Sequence, residues 1–209
     1  MFNIKFMGEY HDDTELIKRK KIPKEAIEFG IVDNLSKEFV RGFIMVLPLI
    51  ITMIILTLLK VKNINYHLTM NIEVIISFFI VIISVWLLTL LHEVIHALFY
   101  PKNANKGIWK STKDGAYFVY CEELISKKRF IIMCLAPMFI LGVIPFIIWL
   151  ILPQFIPMPF NLAFVIITWL MTLLSMGDVA NVYHVIKEVP NKSKLFNYGF
   201  LRSFYIKEK

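Results

Sequence analysis

The residues of this sequence best suited to chemistry are His92-Glu93-Val94-Ile95-His96, an H-E-x-x-H arrangement. On a helix, side chains four apart share a face, so both imidazoles reach one metal ion. Glu93 stands beside them, where a carboxylate accepts a proton from metal-bound water. Zinc is the expected ion, because it takes imidazole and carboxylate donors and lowers the pKa of bound water to about 7. The chain's own 5 His and 11 Glu generate about 0.006 such motifs by chance. The bland alternative, two core histidines around a buried acid, leaves an unpaired glutamate in a strongly apolar segment, which is costly.

A zinc enzyme site usually has three protein ligands and one open position. The extended pattern H-E-x-x-H-x-x-G-x-x-H fails, since Phe99 and Lys102 occupy the Gly and His positions. Asp178 is the best third ligand. His92 lies 8 residues before the end of one apolar segment at Tyr100, and Asp178 lies 8 before the end of another at Ile186. Eight residues of helix rise about 12 Å, so the two share a depth. Ser175, Asp178 and Asn181 form one polar stripe, and Gly177 allows a neighbouring helix to approach. Asn181, and less readily His184 about 120° around the helix, are expected to support the ligands or stabilise an oxyanion. Glu122 and Glu123 are the alternative third ligands.

These residues sit in a membrane-like chain. Of 209 residues, 57% are hydrophobic and 19% charged, with mean hydropathy +0.65. Soluble proteins carry about 25% charged residues. This composition excludes a disordered chain, a disulfide scaffold and a plain cytosolic enzyme. Two cysteines, Cys121 and Cys134, indicate no disulfide framework. The net charge of +7 fits basic cytoplasmic loops rather than nucleic acid, for which no recognition pattern is present. No basic segment leads directly into an apolar core near the start, so no cleaved signal peptide is expected.

Four spans are expected, at about 39–59, 72–100, 130–152 and 160–186. The 48 uncharged residues from Phe130 to Gly177 are too long for one crossing, and Pro153, Pro157 and Pro159 mark the break. Basic residues number seven before Phe39, seven in 101–129 and six from Lys187 onward, and none in the link between the third and fourth spans. This puts both termini in the cytoplasm of a multi-pass cell-membrane protein. Residues 1–38 read as a cytosolic arm, 39–190 as the membrane domain carrying the site, and 191–209 as a cytosolic tail. Lys18-Arg19-Lys20-Lys21 reads as a lipid-proximal anchor. Between the second and third spans, 107–111 and 116–121 read as two strands joined by the Lys113-Asp114-Gly115 turn. An edge strand there could align an unfolded substrate by strand addition, or act only as a lid. The expected fold class is therefore an all-α membrane protein with four transmembrane helices and one short cytosolic β-hairpin.

A hydrophobic H-E-x-x-H ending one span, followed by a loop, a span and an Asp after Gly in the next, resembles the intramembrane site-two protease architecture. More closely, His92-Glu93-Val94-Ile95-His96-Ala97-Leu98-Phe99 and Met176-Gly177-Asp178-Val179 resemble a bacterial family of zincin membrane peptidases, over roughly Trp86 to Pro190. The resemblance implies His92, His96 and Asp178 as zinc ligands and Glu93 as general base. One departure is the Ser175-Met176-Gly177-Asp178-Val179 context, where site-two proteases typically carry N-P-x-x-x-x-D-G.

The expected function is a membrane-embedded zinc metallopeptidase that hydrolyses a peptide bond near the cytosolic face. Its partners are a peptide or membrane-protein substrate and the lipid bilayer, and Glu93 activates the metal-bound water. Two alternatives stand. One is a non-catalytic metal-binding membrane protein such as a sensor, carrier or assembly factor. The other is a loop-facing membrane endopeptidase with Glu122 or Glu123 as third ligand.

Overall fold

Among the described residues, four helices are long and apolar enough to cross a membrane: Ser36–Val61, Ile72–Phe99, Lys127–Ile151 and Met158–Glu188. The computed structural model describes residues 3–17, 21–30, 35–62, 70–113, 115–153, 156–200 and 202–207. Asp114 of the expected turn and Lys18, Arg19 and Lys20 of the basic run lie outside the described residues. In chain order the elements are β1 (Ile4–Glu9), α1 (Asp13–Leu16), β2 (Ile27–Phe29), α2 (Leu35–Val61) and α3 (Ile72–Phe99). The strands β3 (Lys106–Ser111), β4 (Ala116–Tyr120) and β5 (Ile125–Ser126) come next. The third span is α4 (Lys127–Pro137), a π-helical turn π1 (Met138–Val143) and α5 (Ile144–Ile151), and the fourth is α6 (Met158–Leu174) and α7 (Met176–Glu188). Strands β6 (Ser193–Asn197) and β7 (Ser203–Lys207) follow.

Local chemistry sets the helix ends. The Asn71 side chain accepts from Val74 N at 3.0 Å and starts α3. Pro101 follows its end, and the residue before a proline is pushed out of helical conformation. Ser126 accepts from Arg129 N and starts α4. The 28 residues of α3 rise about 42 Å against a hydrocarbon core of about 30 Å, so one or two turns extend past the apolar slab. Phe79, Ile83 and Trp86 of α3 are exposed, as lipid-facing residues must be.

The π turn in the third span lies between Pro137 and Pro145, neither of which donates a backbone hydrogen bond. Gly142 within it faces α6 closely: a Cβ there would lie 2.2 Å from Thr172 Oγ1. The fourth span breaks at Ser175, with φ −78° and ψ 8°. At the opposite end of the bundle, Lys60 of α2 donates to the carbonyls of Leu150 at 3.1 Å and Leu152 at 2.7 Å. It thereby satisfies acceptors left free where α5 stops.

The expected all-α fold with one short hairpin is corrected by the seven strands in two sheets found among the described residues. The first sheet has the order β1-β3-β4, with β1 parallel to β3 and β3 antiparallel to β4. The second has the order β2-β7-β6-β5, antiparallel throughout. The physical reason is separation along the chain. Ile4 pairs with Lys106 and Ile27 with Tyr205, so these strands have partners far away in sequence that no local pattern announces. The expected 107–121 hairpin is present as β3 and β4, with Ile108 opposite Val119. A core of Tyr100, Cys121, Phe130, Cys134, Val185 and Leu195 joins the second sheet to the helices beneath it.

Candidate metal centre

Asp178 enters the site through the helix break. It lies in the first turn of α7, where the helix dipole favours negative charge. Gly42 of α2 fixes that turn from behind: a Cβ on it would lie 2.0 Å from the Met176 carbonyl oxygen. Opposite stand His92 and His96, one turn apart on α3 and both buried.

The three side chains converge. His92 Nε2 lies 3.0 Å from Asp178 Oδ2, His96 Nε2 3.2 Å from Asp178 Oδ1, and the two Nε2 atoms 3.0 Å from each other. Ligands at 2.0–2.1 Å from a tetrahedral zinc are separated by about 3.3 Å, so the donor set fits such an ion. His96 Nδ1 meets the Met133 carbonyl at 2.9 Å. With that nitrogen donating, Nε2 is left with its lone pair toward the centre, the arrangement that orients metal-bound histidines. A buried His92, His96 and Asp178 cluster able to chelate a divalent metal is therefore present.

Glu93 lies outside this cluster. Its Oε2 accepts from the Val119 backbone N–H at 2.9 Å, joining α3 to β4. The expected peptidase mechanism, with Glu93 activating metal-bound water, is corrected here: the convergent donors are two histidines and an aspartate, and a Glu-activated water is not supported. The alternative with Glu122 or Glu123 as third ligand is corrected by the same cluster, whose third donor is Asp178. Those two glutamates line a separate cavity with Lys5 and Lys106.

A cavity of about 230 Å³ opens over Glu93, His96 and Asp178, and Asn181 and His184 also line it. Asn181 is exposed. His184 is engaged elsewhere, with Nδ1 2.6 Å from Glu188 Oε1 and Nε2 2.8 Å from Glu38 Oε2. Arg41 lies 2.8 Å from the same Nε2 and bonds Glu38. Glu188 also accepts from Gly30 N at 2.9 Å, so this network ties α2, α7 and the residue after β2 together.

The rest of the wall comes from residues that the sequence alone did not single out. Asn197, Arg202 and Ser203 of the C-terminal hairpin line the cavity, as do Phe29 and Gly30. Arg202 pairs with Glu28 through two bonds of 2.8 and 3.0 Å. Tyr100 accepts from Asn197 Nδ2 at 3.2 Å, and burial holds its phenol well above the ordinary range, hence neutral. Burial likewise raises the Cys121 thiol to about 11.

A protein-family profile described as "Putative zincin peptidase" matches residues 85–194, more than half of the chain. The chain belongs to this family. The matched segment contains His92, His96 and Asp178, together with the whole third span. Comparison with curated proteins and with solved structures finds no match.

Proposed function

We propose that this protein is a membrane-embedded metal-binding protein, with His92, His96 and Asp178 holding one zinc ion near the cytoplasmic ends of its spans. The convergence of three buried donors from α3 and α7 at 3.0–3.2 Å carries this reading. Two imidazoles and a carboxylate suit zinc among the common divalent ions. Zinc held there would bridge α3 and α7 through its ligands, which would couple ion occupancy to the packing of two spans, as a sensor or assembly factor requires. The chain's part is clear from its contacts. His96 is oriented by Met133, Asp178 by the break at Ser175, and the C-terminal hairpin roofs the centre. The distribution of basic residues supports cytoplasmic termini.

Family membership favours a second reading, a zinc-dependent endopeptidase acting on a peptide or membrane-protein segment. In it Asn181 binds the substrate carbonyl, a role supported by its position in the lining of the same cavity. His184 contributes less directly, because carboxylates hold both of its ring nitrogens.

The test is metal content of the purified protein beside His92→Ala, Asp178→Ala and Glu93→Gln, with cellular function scored in parallel. The metal-binding reading expects about one zinc in the wild type and in Glu93→Gln, little in the other two, and function retained by Glu93→Gln. Function lost from a Glu93→Gln protein that keeps its metal would overturn the non-catalytic reading. Metal absent from the wild type after zinc is added back would overturn both readings.

A further inference from the structure

A second cavity reaches the metal centre from the bilayer side. It is a groove of about 730 Å³ between α3 and α6, larger than the cavity over the cluster. Its walls are Val81, Ile82, Val85 and Trp86 of α3 with Leu170 and Leu174 of α6. His92 and Glu93 line it too. Both helices span the membrane, and Ile82, Trp86 and Leu174 are exposed, so the groove opens sideways into lipid.

Length points to one kind of occupant. From Val81 to Glu93 the helix rises about 18 Å. One leaflet of the hydrocarbon core is about 15 Å deep, which is the reach of one acyl chain. A single acyl chain lying along the groove therefore matches its length.

Charge decides the headgroup. The β3–β4 hairpin covers the groove and contributes Lys110, Thr112 and Tyr117 to its lining. Lys110 is exposed and lies two residues along β3 from Ile108, which pairs with Val119, the residue held by Glu93. The groove's cation therefore lies near its Glu93 end, while Val81 lies far down the bilayer. That Glu93 carboxylate is itself turned to a backbone N–H. The lining thus offers an ammonium and hydroxyls at one end and mainly apolar surface along the rest, where the Thr89 hydroxyl is turned to the Trp86 carbonyl; this is the pattern of an anionic lipid with its headgroup at the interface.

We infer that the groove between α3 and α6 binds one acyl chain of an anionic phospholipid, its phosphate held by Lys110. A lipid then forms the bilayer-side wall of the His92–Glu93 turn. The inference does not depend on which reading of the metal centre holds.

Trp86 reports on it directly. The full chain is reconstituted in phosphatidylcholine vesicles containing either acyl-brominated phosphatidylglycerol or acyl-brominated phosphatidylcholine. The Trp86 signal is taken as the difference from Trp86→Phe. Brominated phosphatidylglycerol is expected to quench it at about fivefold lower mole fraction than brominated phosphatidylcholine. The preference should vanish in Lys110→Glu and persist in Lys110→Arg, which controls for folding. Val85→Phe, which fills the groove, should reduce quenching by both lipids. Equal quenching by the two lipids in the wild type overturns the inference. So does displacement of the brominated lipid by an added transmembrane peptide, which would make the groove a peptide site. A preference that survives Lys110→Glu removes Lys110 as the phosphate partner and also overturns it.

Discussion

Gly42 and Met176 stand 134 residues apart in sequence, yet a Cβ on Gly42 would sit 2.0 Å from the Met176 carbonyl oxygen. No side chain fits that space. The contact is backbone on backbone, so the strain of a larger residue falls on the first turn of α7, two residues before Asp178. Gly42→Ala should therefore destabilise the protein by about 1–3 kcal/mol, the usual cost of overpacking. It should also weaken zinc binding by about tenfold or more, by moving Asp178 relative to its ligand partners on α3. Thermal melts and zinc titration of the detergent-solubilised variant measure the two effects. An unchanged zinc affinity would separate α2 packing from the site.

Zinc should stabilise the fold because its donors come from two spans, α3 and α7. Binding to the folded state alone adds about 2.7 kcal/mol at a free zinc concentration of 100 times the Kd. Chelator treatment should remove that increment. His96→Ala should lower the zinc-free melting temperature, because it opens a cavity and leaves the Met133 carbonyl unpaired, and should abolish the zinc-dependent part. The check is a melting series against buffered free zinc for both proteins. A zinc response retained by His96→Ala would exclude the three-residue centre.

Much of the centre was legible because its elements announce themselves locally. The i, i+4 histidines need only a helix, and Asp178 stands out as an acid in an apolar span. What stayed hidden depends on contacts distant in sequence. The carbonyl that orients His96 belongs to Met133, a residue with no polar side chain, on another span. Ile4–Glu9 shows little alternation and becomes a strand only beside β3. The C-terminal hairpin reads only as a cytosolic tail until Arg202 meets Glu28 and the hairpin lines the cavity. The role expected of Glu93 followed from its position in the motif, whereas the Val119 N–H that holds its carboxylate comes from the sheet.

That bond makes Glu93 a tie between α3 and β4. Leaving the part-buried Val119 N–H without its acceptor costs about 1–3 kcal/mol. Glu93→Ala should lower stability by an amount in that range and speed amide exchange at Val119. Glu93→Gln should cost less, because its side-chain carbonyl still accepts from the same N–H. Hydrogen exchange resolved to the β4 peptide distinguishes the two variants. Val119 exchange unchanged in Glu93→Ala would show that the bond does not hold the strand.

The Arg202–Glu28 pair predicts an acid-sensitive roof. Arg202 hydrogen-bonds Glu28 and holds its carboxyl below the ordinary glutamate range. A depressed folded value means that the pair's contribution is complete above the unfolded value of about 4.3 and is lost as pH falls through the lower, folded value. The pair is partly solvated, with Arg202 at 46% side-chain exposure, so its contribution is about 0.2–1 kcal/mol. Between pH 7 and 5 the wild type should therefore exceed Arg202→Met in stability by that amount, with a constant gap. Below about pH 4 the two should converge, because protonated Glu28 no longer attracts the guanidinium. Because β2 and β7 both line the cavity, the same acid step should increase protease cutting in the C-terminal hairpin of the wild type. Arg202→Met should already be cut faster at pH 7. Melting curves and limited proteolysis across pH 2–7 measure both, and a stability gap that does not narrow as pH falls below the unfolded value of about 4.3 would rule out this pair as the acid-labile latch.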